Sequence, residues 1–295
     1  MLWVDASSPS EDELSELTEV FGLAANGSSL TAAKRKPRLE QKPGYLVLTA
    51  VAVSDEQRDV EREQVMLDCF VGENWLLTVH DAEIAVIDDF RATASGEGEL
   101  GILDAPSFLS DLLEWVVTSY LRAFDEIEAE LENFDVEALR TPSRDPEAQI
   151  KVLIQARQRV GELRRSLAPH RDVFAALGHS EFDPLSSEAS SERFVELTAR
   201  LDSALASSRD VKDAIASSFD VLIVRTEHRT NEIIKLLTLV SILLLPGALL
   251  AGIAGMNVNF KPEVFVDSGL FWLVIGTLVA ITGSSLVLAR VRHWV

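Results

Sequence analysis

The feature that most constrains this 295-residue chain is a pair of long apolar runs close to its C-terminus. The first run, 236–255, and the second, 269–289, each hold about twenty residues without a charged side chain. A helix of about twenty apolar residues matches the thickness of a bilayer's hydrocarbon core. Two such runs, adjacent and at one end of the chain, favour two transmembrane helices over buried helices of a soluble protein.

Charged residues around the two runs indicate how the chain crosses the membrane. The short connection between the runs holds one basic residue, Lys261. The outer flanks hold more basic residues: Arg225, Arg229 and Lys235 on one side, and Arg290, Arg292 and His293 on the other. Because basic flanks favour the cytosolic side, we expect both flanks inside and the connection outside. The sequence therefore predicts a multi-pass protein of the cell membrane (inner or plasma membrane) with both termini cytosolic.

Charge and cysteine content exclude several classes of function. The formal net charge is -20, so no nucleic-acid partner is expected, because a polyanion binds to basic surfaces. The one cysteine, Cys69, excludes a disulfide framework and a cysteine-based zinc site. We also find no phosphate-binding glycine loop, nucleophile elbow or paired metal ligands in the sequence. We expect neither an enzyme nor a resident cofactor, and we expect membrane lipid and cations as partners.

Residues 1–106 alternate short apolar segments with turn residues, which predicts a cytosolic α/β domain. Five segments are predicted as strands: 2–4, Tyr45–Val53, Gln64–Val71, Trp75–His80 and 82–88. The tripeptide Gly72-Glu73-Asn74 predicts a hairpin turn between two of them. A helix is predicted after the first strand, with Ser8 or Ser10 as its N-cap.

Beyond residue 106 the apolar residues recur with a helical period. Three long helices are predicted, over 108–137, 146–177 and 187–255. Residues 107–186 are interpreted as a cytosolic long-helix hairpin, and 187–255 as a long helix that includes the first span. The remaining predicted segments are a short extracytoplasmic loop over 256–268, a second span over 269–289 and a basic cytosolic tail over 290–295.

A stripe along the last long helix combines small, polar and aliphatic residues. Its members follow one another at alternating steps of four and three: Asp220, Val224, Glu227, Asn231, Ile234, Thr238, Ser241, Leu245, Ala248, Gly252 and Gly255. This 3.5-residue period is typical of helices that assemble in parallel. The mixed composition favours a stripe that meets water and ions along an axis, because an ordinary coiled-coil seam is apolar throughout. The alternative is an accidental register in a helix that packs inside its own protomer.

The tripeptide Gly255-Met256-Asn257 stands directly at the end of the first apolar run. It is preceded by Asn231-Glu-Ile-Ile-Lys-Leu-Leu-Thr238 and followed by Pro262-Glu263. With these motifs in this order, the chain resembles the CorA family of divalent-cation channels. Two weaker similarities to the family lie upstream, in Lys36-Pro-Arg-Leu-Glu40 and Leu163-Arg-Arg-Ser-Leu-Ala-Pro-His-Arg171.

The resemblance implies a fold and a set of site residues. The chain would form a funnel-shaped homopentamer, with the first spans lining a pore and the second spans around them. Gly255, Met256 and Asn257 would form the selectivity filter, where a ring of Asn257 amide oxygens faces a still-hydrated ion. Asp220 would form a lower cation-attracting ring, and Glu263 would lie in the extracytoplasmic loop. The residues that would line the pore are Asp220, Asn231, Ile234, Thr238, Ser241, Leu245, Ala248 and Gly252. The larger aliphatic side chains among them would form narrow collars.

The resemblance further implies uptake of Mg²⁺ driven by the membrane potential, with Co²⁺ and Ni²⁺ as other transported ions. One alternative is Zn²⁺ transport, with or without proton coupling, as in the related ZntB branch, which typically has Gly-Ile-Asn in place of Gly255-Met256-Asn257. A second alternative is a two-span membrane sensor or anchored enzyme. That class needs a sizeable outer domain, and the predicted outer loop holds only about a dozen residues.

Two departures from the family pattern carry expectations of their own. Ala254 and Val258 stand where family members often have aromatic residues beside the filter, which predicts a looser pore mouth. Ser28 and Ser29 stand where an acidic pair contributes to magnesium sensing in the family. The second departure predicts closure by cytosolic Mg²⁺ that is weaker or that depends on other residues, measurable as channel current against internal magnesium concentration.

Overall fold

The computed structural model of the chain describes residues 1–23, 36–53, 64–82, 84–96, 104–140, 146–178, 188–255, 275–277, 279–284 and 287. The chain divides into two compact units, Met1–Phe219 and Asp220–Val295. The serines predicted to replace an acidic pair, Ser28 and Ser29, lie outside the described residues.

The first unit is built around a five-stranded sheet. Its strands are β1 (Leu2–Ser7), β2 (Arg38–Lys42), β3 (Tyr45–Val53), β4 (Gln64–Val71) and β5 (Trp75–His80). Their order across the sheet is β1-β5-β4-β3-β2. β1 runs parallel to β5, and the other neighbouring strands are antiparallel. The predicted bounds of β3, β4 and β5 are confirmed to the residue, β1 is longer than predicted, and β2 was not predicted.

All nine residues of β3 are buried, because both faces of the sheet are covered. On one face of the sheet, helix α1 (Glu11–Val20) packs against an apolar cluster. The cluster comprises Tyr45, Val47, Phe70, Leu77 and Val79, with Leu14, Leu17 and Phe21 packed against it.

The N-cap residue of helix α1 is Ser10. The Glu13 N–H donates to the Ser10 hydroxyl, and the Ser10 N–H donates to the Glu13 carboxylate. Of the two predicted N-caps, Ser10 is confirmed.

The predicted turn between β4 and β5 is confirmed, and it depends on a glycine. The Gly72 N–H donates to the Trp75 carbonyl at 2.9 Å, which closes the hairpin. A Cβ atom on residue 72 would lie 2.3 Å from the Trp75 ring. Glycine therefore lets the indole lie against the turn, where its ring centroid is 4.8 Å from that of Phe21.

Long helices cover the other face of the sheet. Helix α3 (Ala105–Arg140) packs on β3, and α4 (Pro146–Leu167) packs on α3. The helix predicted over 146–177 is two helices, because α5 (His170–Leu177) starts after a break at Ala168-Pro169. Proline has no N–H to donate to the carbonyl four residues earlier, which ends the hydrogen-bond ladder of α4.

The prediction of a strand over 82–88 is wrong, because helix α2 (Ala85–Gly96) begins within this segment. The Ile87 N–H donates to the Ile84 carbonyl at 2.8 Å, as in a helical turn. Ile84, Ile87 and Phe90 are buried, so the apolar face of the helix explains the apolar run. A short apolar run is equally compatible with a buried strand and a buried helix, and only the continuation to Gly96 distinguishes them.

Helix α6 (Glu188–Gly255) begins in the first unit and continues into the second, which confirms the predicted long helix. Within the first unit it runs parallel to α3. Three side-chain contacts join the two helices in the same order along both: Arg193–Asp111 at 2.8 Å, Arg200–Glu114, and Ser218–Asp135 at 3.1 Å. Arg159 of α4 pairs with Glu130 of α3 at 2.7 Å, which joins a further helix to this layer.

The described residues of the second unit belong to α6 and to the second apolar run. Within the run predicted as a second span, residues 275–277, 279–284 and 287 are helical. The rest of that run, the predicted loop over 256–268 and the predicted tail over 290–295 lie outside the described residues.

Candidate functional site

Helix α6 is the element that carries the predicted site, and its first half is fixed by a regular buried stripe. The buried residues recur at alternating steps of four and three: Ser190, Phe194, Leu197, Leu201, Ala204, Ser208, Val211, Ile215, Ser218 and Leu222. A 3.5-residue period keeps one face of a helix against its neighbours over many turns. This stripe therefore sets the rotation of α6 about its own axis.

The predicted stripe lies on a different face of α6. Asp220 follows the buried Ser218 by two residues and precedes the buried Leu222 by two, a rotation of about 160° at 100° per residue. Asp220, Glu227 and Asn231 are exposed. The face that α6 buries within its own protomer is thus not the face that carries the predicted stripe, which argues against an accidental intraprotomer register.

The apolar half of α6 is largely exposed in the part of the chain that the structure describes. It is the one helix among the described residues that is long and apolar enough to cross a membrane, and none of its most apolar stretch is buried. Ile234 is 53% exposed and Leu245 is 66% exposed, and Leu236 on the opposite face is 65% exposed. An apolar surface exposed on all sides of a helix needs lipid or neighbouring chains around it.

Two hydroxyl groups of the predicted stripe are satisfied by the helix itself. The Thr238 hydroxyl donates to the Ile234 carbonyl at 2.7 Å, and the Ser241 hydroxyl donates to the Leu237 carbonyl at 2.8 Å. Each hydroxyl oxygen keeps lone pairs that can accept a hydrogen bond from water. These positions can therefore face either an apolar neighbour or a hydrated ion without an unsatisfied donor.

The remaining predicted site residues fall partly within the described chain. Ala248 and Gly252 are exposed on α6, and Gly255 is its last residue. Met256, Asn257 and Glu263 lie outside the described residues. The filter proposed from the sequence therefore begins where the described part of α6 ends.

Sequence reasoning missed one structural role near the predicted motifs. In the segment resembling the family's Leu-Arg stretch, His170 accepts a hydrogen bond from the Val51 N–H at 3.0 Å through Nε2. Its Nδ1 lies 3.1 Å from the Leu167 carbonyl, so the ring is neutral with its proton on Nδ1. The Val51 carbonyl accepts from the Tyr120 hydroxyl at 2.9 Å. On the β2 side of β3, side chains thus take the place of a strand partner at Val51, two residues beyond the last pair of β2 with β3, while Met66 of β4 pairs with Val51 on the other side.

A charged cluster joins β1, β5 and α2, with Asp5 and His80 buried and Arg91 half-exposed. Thr78 donates to the Asp5 carboxylate, Arg91 pairs with it, and His80 Nε2 lies 3.3 Å from it. His80 Nδ1 lies 2.6 Å from the Ala82 carbonyl, so both ring nitrogens face acceptors. Burial lowers the pKa of His80, but the hydrogen bonds to Asp5 and Ala82 outweigh burial and raise it. The ion pair between Arg91 of α2 and Asp5 of β1 therefore attaches α2 to the sheet.

Metal ligation by clustered side chains is a separate question from ion conduction. Within the described ranges, no group of three or more histidine, cysteine, aspartate or glutamate residues is arranged to hold a metal ion.

Comparisons with known proteins point in one direction. The chain is 24% identical over 304 residues to the cobalt/magnesium transport protein CorA of Methanocaldococcus jannaschii, covering 100% of this chain and 92% of that protein. The complete structure of the CorA magnesium transporter from Methanocaldococcus jannaschii matches with a TM-score of 0.81 at 23% identity, over 99% of this chain and 91% of that one. This second likeness shows a shared fold.

A further structural likeness, at lower identity, involves the protein ZntB. The cytoplasmic domain of ZntB from Vibrio parahaemolyticus matches with a TM-score of 0.54 at 17% identity, over 74% of this chain and 87% of that domain. At this identity the likeness concerns the fold alone. The model of the family described as CorA-like Mg2+ transporter protein matches residues 1–290. The chain belongs to the CorA-like Mg²⁺ transporter family.

Proposed function

We propose that this chain is one subunit of a membrane channel that moves Mg²⁺ into the cytosol, with Co²⁺ and Ni²⁺ as further permeant ions. The observation that carries the proposal is the mixed stripe of α6, most of whose described residues are exposed and which runs on a different face from the helix's buried stripe. Membership of the CorA-like family supports the ion class. The transported ion is cargo, and no resident cofactor is required.

The proposed assembly is a homopentamer in which five copies of α6 surround an axis. The residues from Leu236 to Gly255 cover about 30 Å at 1.5 Å per residue, the thickness of a bilayer core. The second apolar run would form an outer span, both termini would be cytosolic, and Glu263 would lie in the extracytoplasmic loop. The exposed apolar residues of α6 would then contact neighbouring chains and lipid instead of water.

The proposed ion path uses oxygen atoms and narrow apolar rings in alternation. Magnesium prefers hard oxygen ligands and releases its water reluctantly. A ring of Asn257 amide oxygens suits a hydrated ion, because a ring of carboxylates at the filter would bind a doubly charged ion too tightly for release. Thr238 and Ser241 would accept hydrogen bonds from the ion's water, and Ile234 and Leu245 would form collars that close by excluding water.

The membrane potential suffices as the driving force in this proposal. Two positive charges that cross about 100 mV, inside negative, gain about 4.6 kcal/mol. Nucleotide hydrolysis is therefore unnecessary. Asp220, at the cytosolic approach to the apolar half of α6, would raise the local concentration of cations.

Ion flux into proteoliposomes tests the proposal. Purified protein would be reconstituted, an inside-negative potential imposed, and uptake of Mg²⁺ and Zn²⁺ compared with and without a proton gradient. We expect Mg²⁺ uptake that follows the potential and does not depend on the proton gradient. Zinc uptake that follows the proton gradient while magnesium is ignored would instead assign the chain to the zinc-transporting branch. Liposomes without protein provide the leak control.

A further inference from the structure

Glu227 lies on α6 between two residues of the proposed ion path. Asp220 precedes it by seven residues and Ile234 follows it by seven. Seven residues rotate a helix by about 20° and advance it by about 10 Å, so all three lie on one face. All three side chains are exposed in the single chain. Glu227 therefore stands one heptad closer to the membrane than Asp220, on the same face.

The basic residues of this segment lie on the opposite face. Arg225 and Arg229 flank Glu227 at two residues on either side, each rotated from it by about 160°. They therefore lie on the side of α6 that continues the buried stripe beyond Leu222. The helix itself therefore separates Glu227 from Arg225 and Arg229.

Glu227 differs from the nearby Glu232 in the charged residues that surround it on the helix. On a helix, a charge is neutralised by opposite charges three or four positions away. Glu232 has Arg229 and Lys235 at three positions on either side, whereas Glu227 has only Ile223, Val224, Thr230 and Asn231 at these distances. Asp220 likewise has no basic residue three or four positions away. Along α6 itself, therefore, no basic residue compensates the charge of Asp220 or of Glu227, whereas Arg229 and Lys235 flank Glu232.

We propose that Glu227 is a second carboxylate position of the ion path and sets how strongly Mg²⁺ is concentrated at the cytosolic end of the pore. The inference rests on the proposed function, since five copies must surround the axis for the carboxylates to form a ring. A ring of like charges facing water inside a narrow path raises the local concentration of cations, and salt screens the effect. Glu227 acts here by its charge, without holding a dehydrated ion.

Outward Mg²⁺ current in excised inside-out patches measures this effect, because cations then reach Glu227 from the cytosolic solution. We expect Glu227→Gln to lower this current severalfold at an ionic strength of about 0.01 M, where the Debye length is about 30 Å. At about 1 M, set with impermeant N-methylglucamine chloride, the Debye length is about 3 Å and the difference should vanish. Glu227→Asp keeps the charge and should retain most of the current.

The matched control is Glu232→Gln, which removes the same charge from a locally neutralised position on another face. If the two variants, Glu227→Gln and Glu232→Gln, carry equal outward currents at low ionic strength, the inference is overturned. A loss of current that is the same at both ionic strengths would also overturn it, because a charge effect must be screened. Wild-type protein that carries no Mg²⁺ current would instead contradict the proposed function.

Discussion

Replacing Asn257 with alanine is expected to abolish potential-driven Mg²⁺ uptake by the full-length protein in proteoliposomes. In the proposed filter, each chain contributes one amide oxygen to the water around the ion, and a methyl group cannot accept that hydrogen bond. A hydrogen bond to a charged partner contributes about 1.5–3 kcal/mol, and a factor of ten corresponds to about 1.4 kcal/mol. We therefore expect a loss of at least about tenfold, measured as initial uptake rate.

Asn259→Ala is the matched control for this substitution. Asn259 has the same side chain and lies two residues further along the same predicted loop. We expect this variant to retain uptake, since the family motif comprises Gly255-Met256-Asn257 alone. Equal losses in the two variants would indicate general damage to the loop, and an Asn257→Ala protein that transports at the wild-type rate would refute the filter.

Replacing His170 with alanine is expected to destabilise the first unit by about 3 kcal/mol at neutral pH. The side chain is 1% exposed and packs against Tyr120 and Phe174 at ring-centroid distances of 6.2 and 5.6 Å. The substitution removes this packing and leaves the buried Val51 N–H without its acceptor. Unfolding of the full chain in detergent, followed by tryptophan fluorescence, measures the change.

The destabilisation by His170→Ala should also depend on pH. Burial lowers the pKa of His170 from 6.5 to about 4, because a charged ring would lose its hydration. The folded state therefore binds this proton less readily than the unfolded state, and the stabilisation is fully present above about pH 6.5. It is lost as the pH falls towards about 4, a difference of roughly 3 kcal/mol.

The comparison between variants isolates this histidine from other groups that titrate. The difference in unfolding free energy between wild type and His170→Ala should shrink as the pH is lowered from 7 to about 4. A difference that stays constant over this range, or grows at low pH, would contradict the neutral buried ring.

The sequence predicted the elements whose local pattern agrees with their packing. The strands β3, β4 and β5 are short apolar segments separated by a tight turn at Gly72, and their predicted bounds match the structure. Strand β2 was missed because Arg38–Lys42 is an edge strand with three charged side chains. Its conformation comes from antiparallel pairing with β3, which no local pattern reveals.

Two other differences between prediction and structure arise where tertiary contacts determine the secondary structure. The run 82–88 has no period long enough to separate a strand from a helix, and α2 forms because Ile84, Ile87 and Phe90 become buried together. Within the predicted helix over 146–177, Pro169 was the signal for a break, and the hydrogen bond between Val51 and His170 shows why the chain turns there. The turn places the ring nitrogen beside the sheet.

The candidate site was accessible to sequence reasoning because a helix repeats its faces. The steps of four and three from Asp220 to Gly252 fall on one side of α6, as the helix requires. The buried stripe from Ser190 to Leu222 has the same period and was not recognised. The arrangement of the proposed filter, by contrast, would depend on how several chains meet around an axis, which the periodicity of one chain does not determine.

Modification of introduced cysteines on α6 tests the central claim, that the mixed stripe lines the ion path. The chain's one cysteine, Cys69, is fully buried, so an added thiol is the accessible one. Cysteine would replace Thr238, Ser241 or Leu245 on the stripe, and Leu236 or Val240 away from it, and Mg²⁺ current would be recorded before and after a cationic methanethiosulfonate reagent. We predict block at the three stripe positions and unchanged current at the other two. Block at Leu236 and Val240 with none on the stripe would contradict the account.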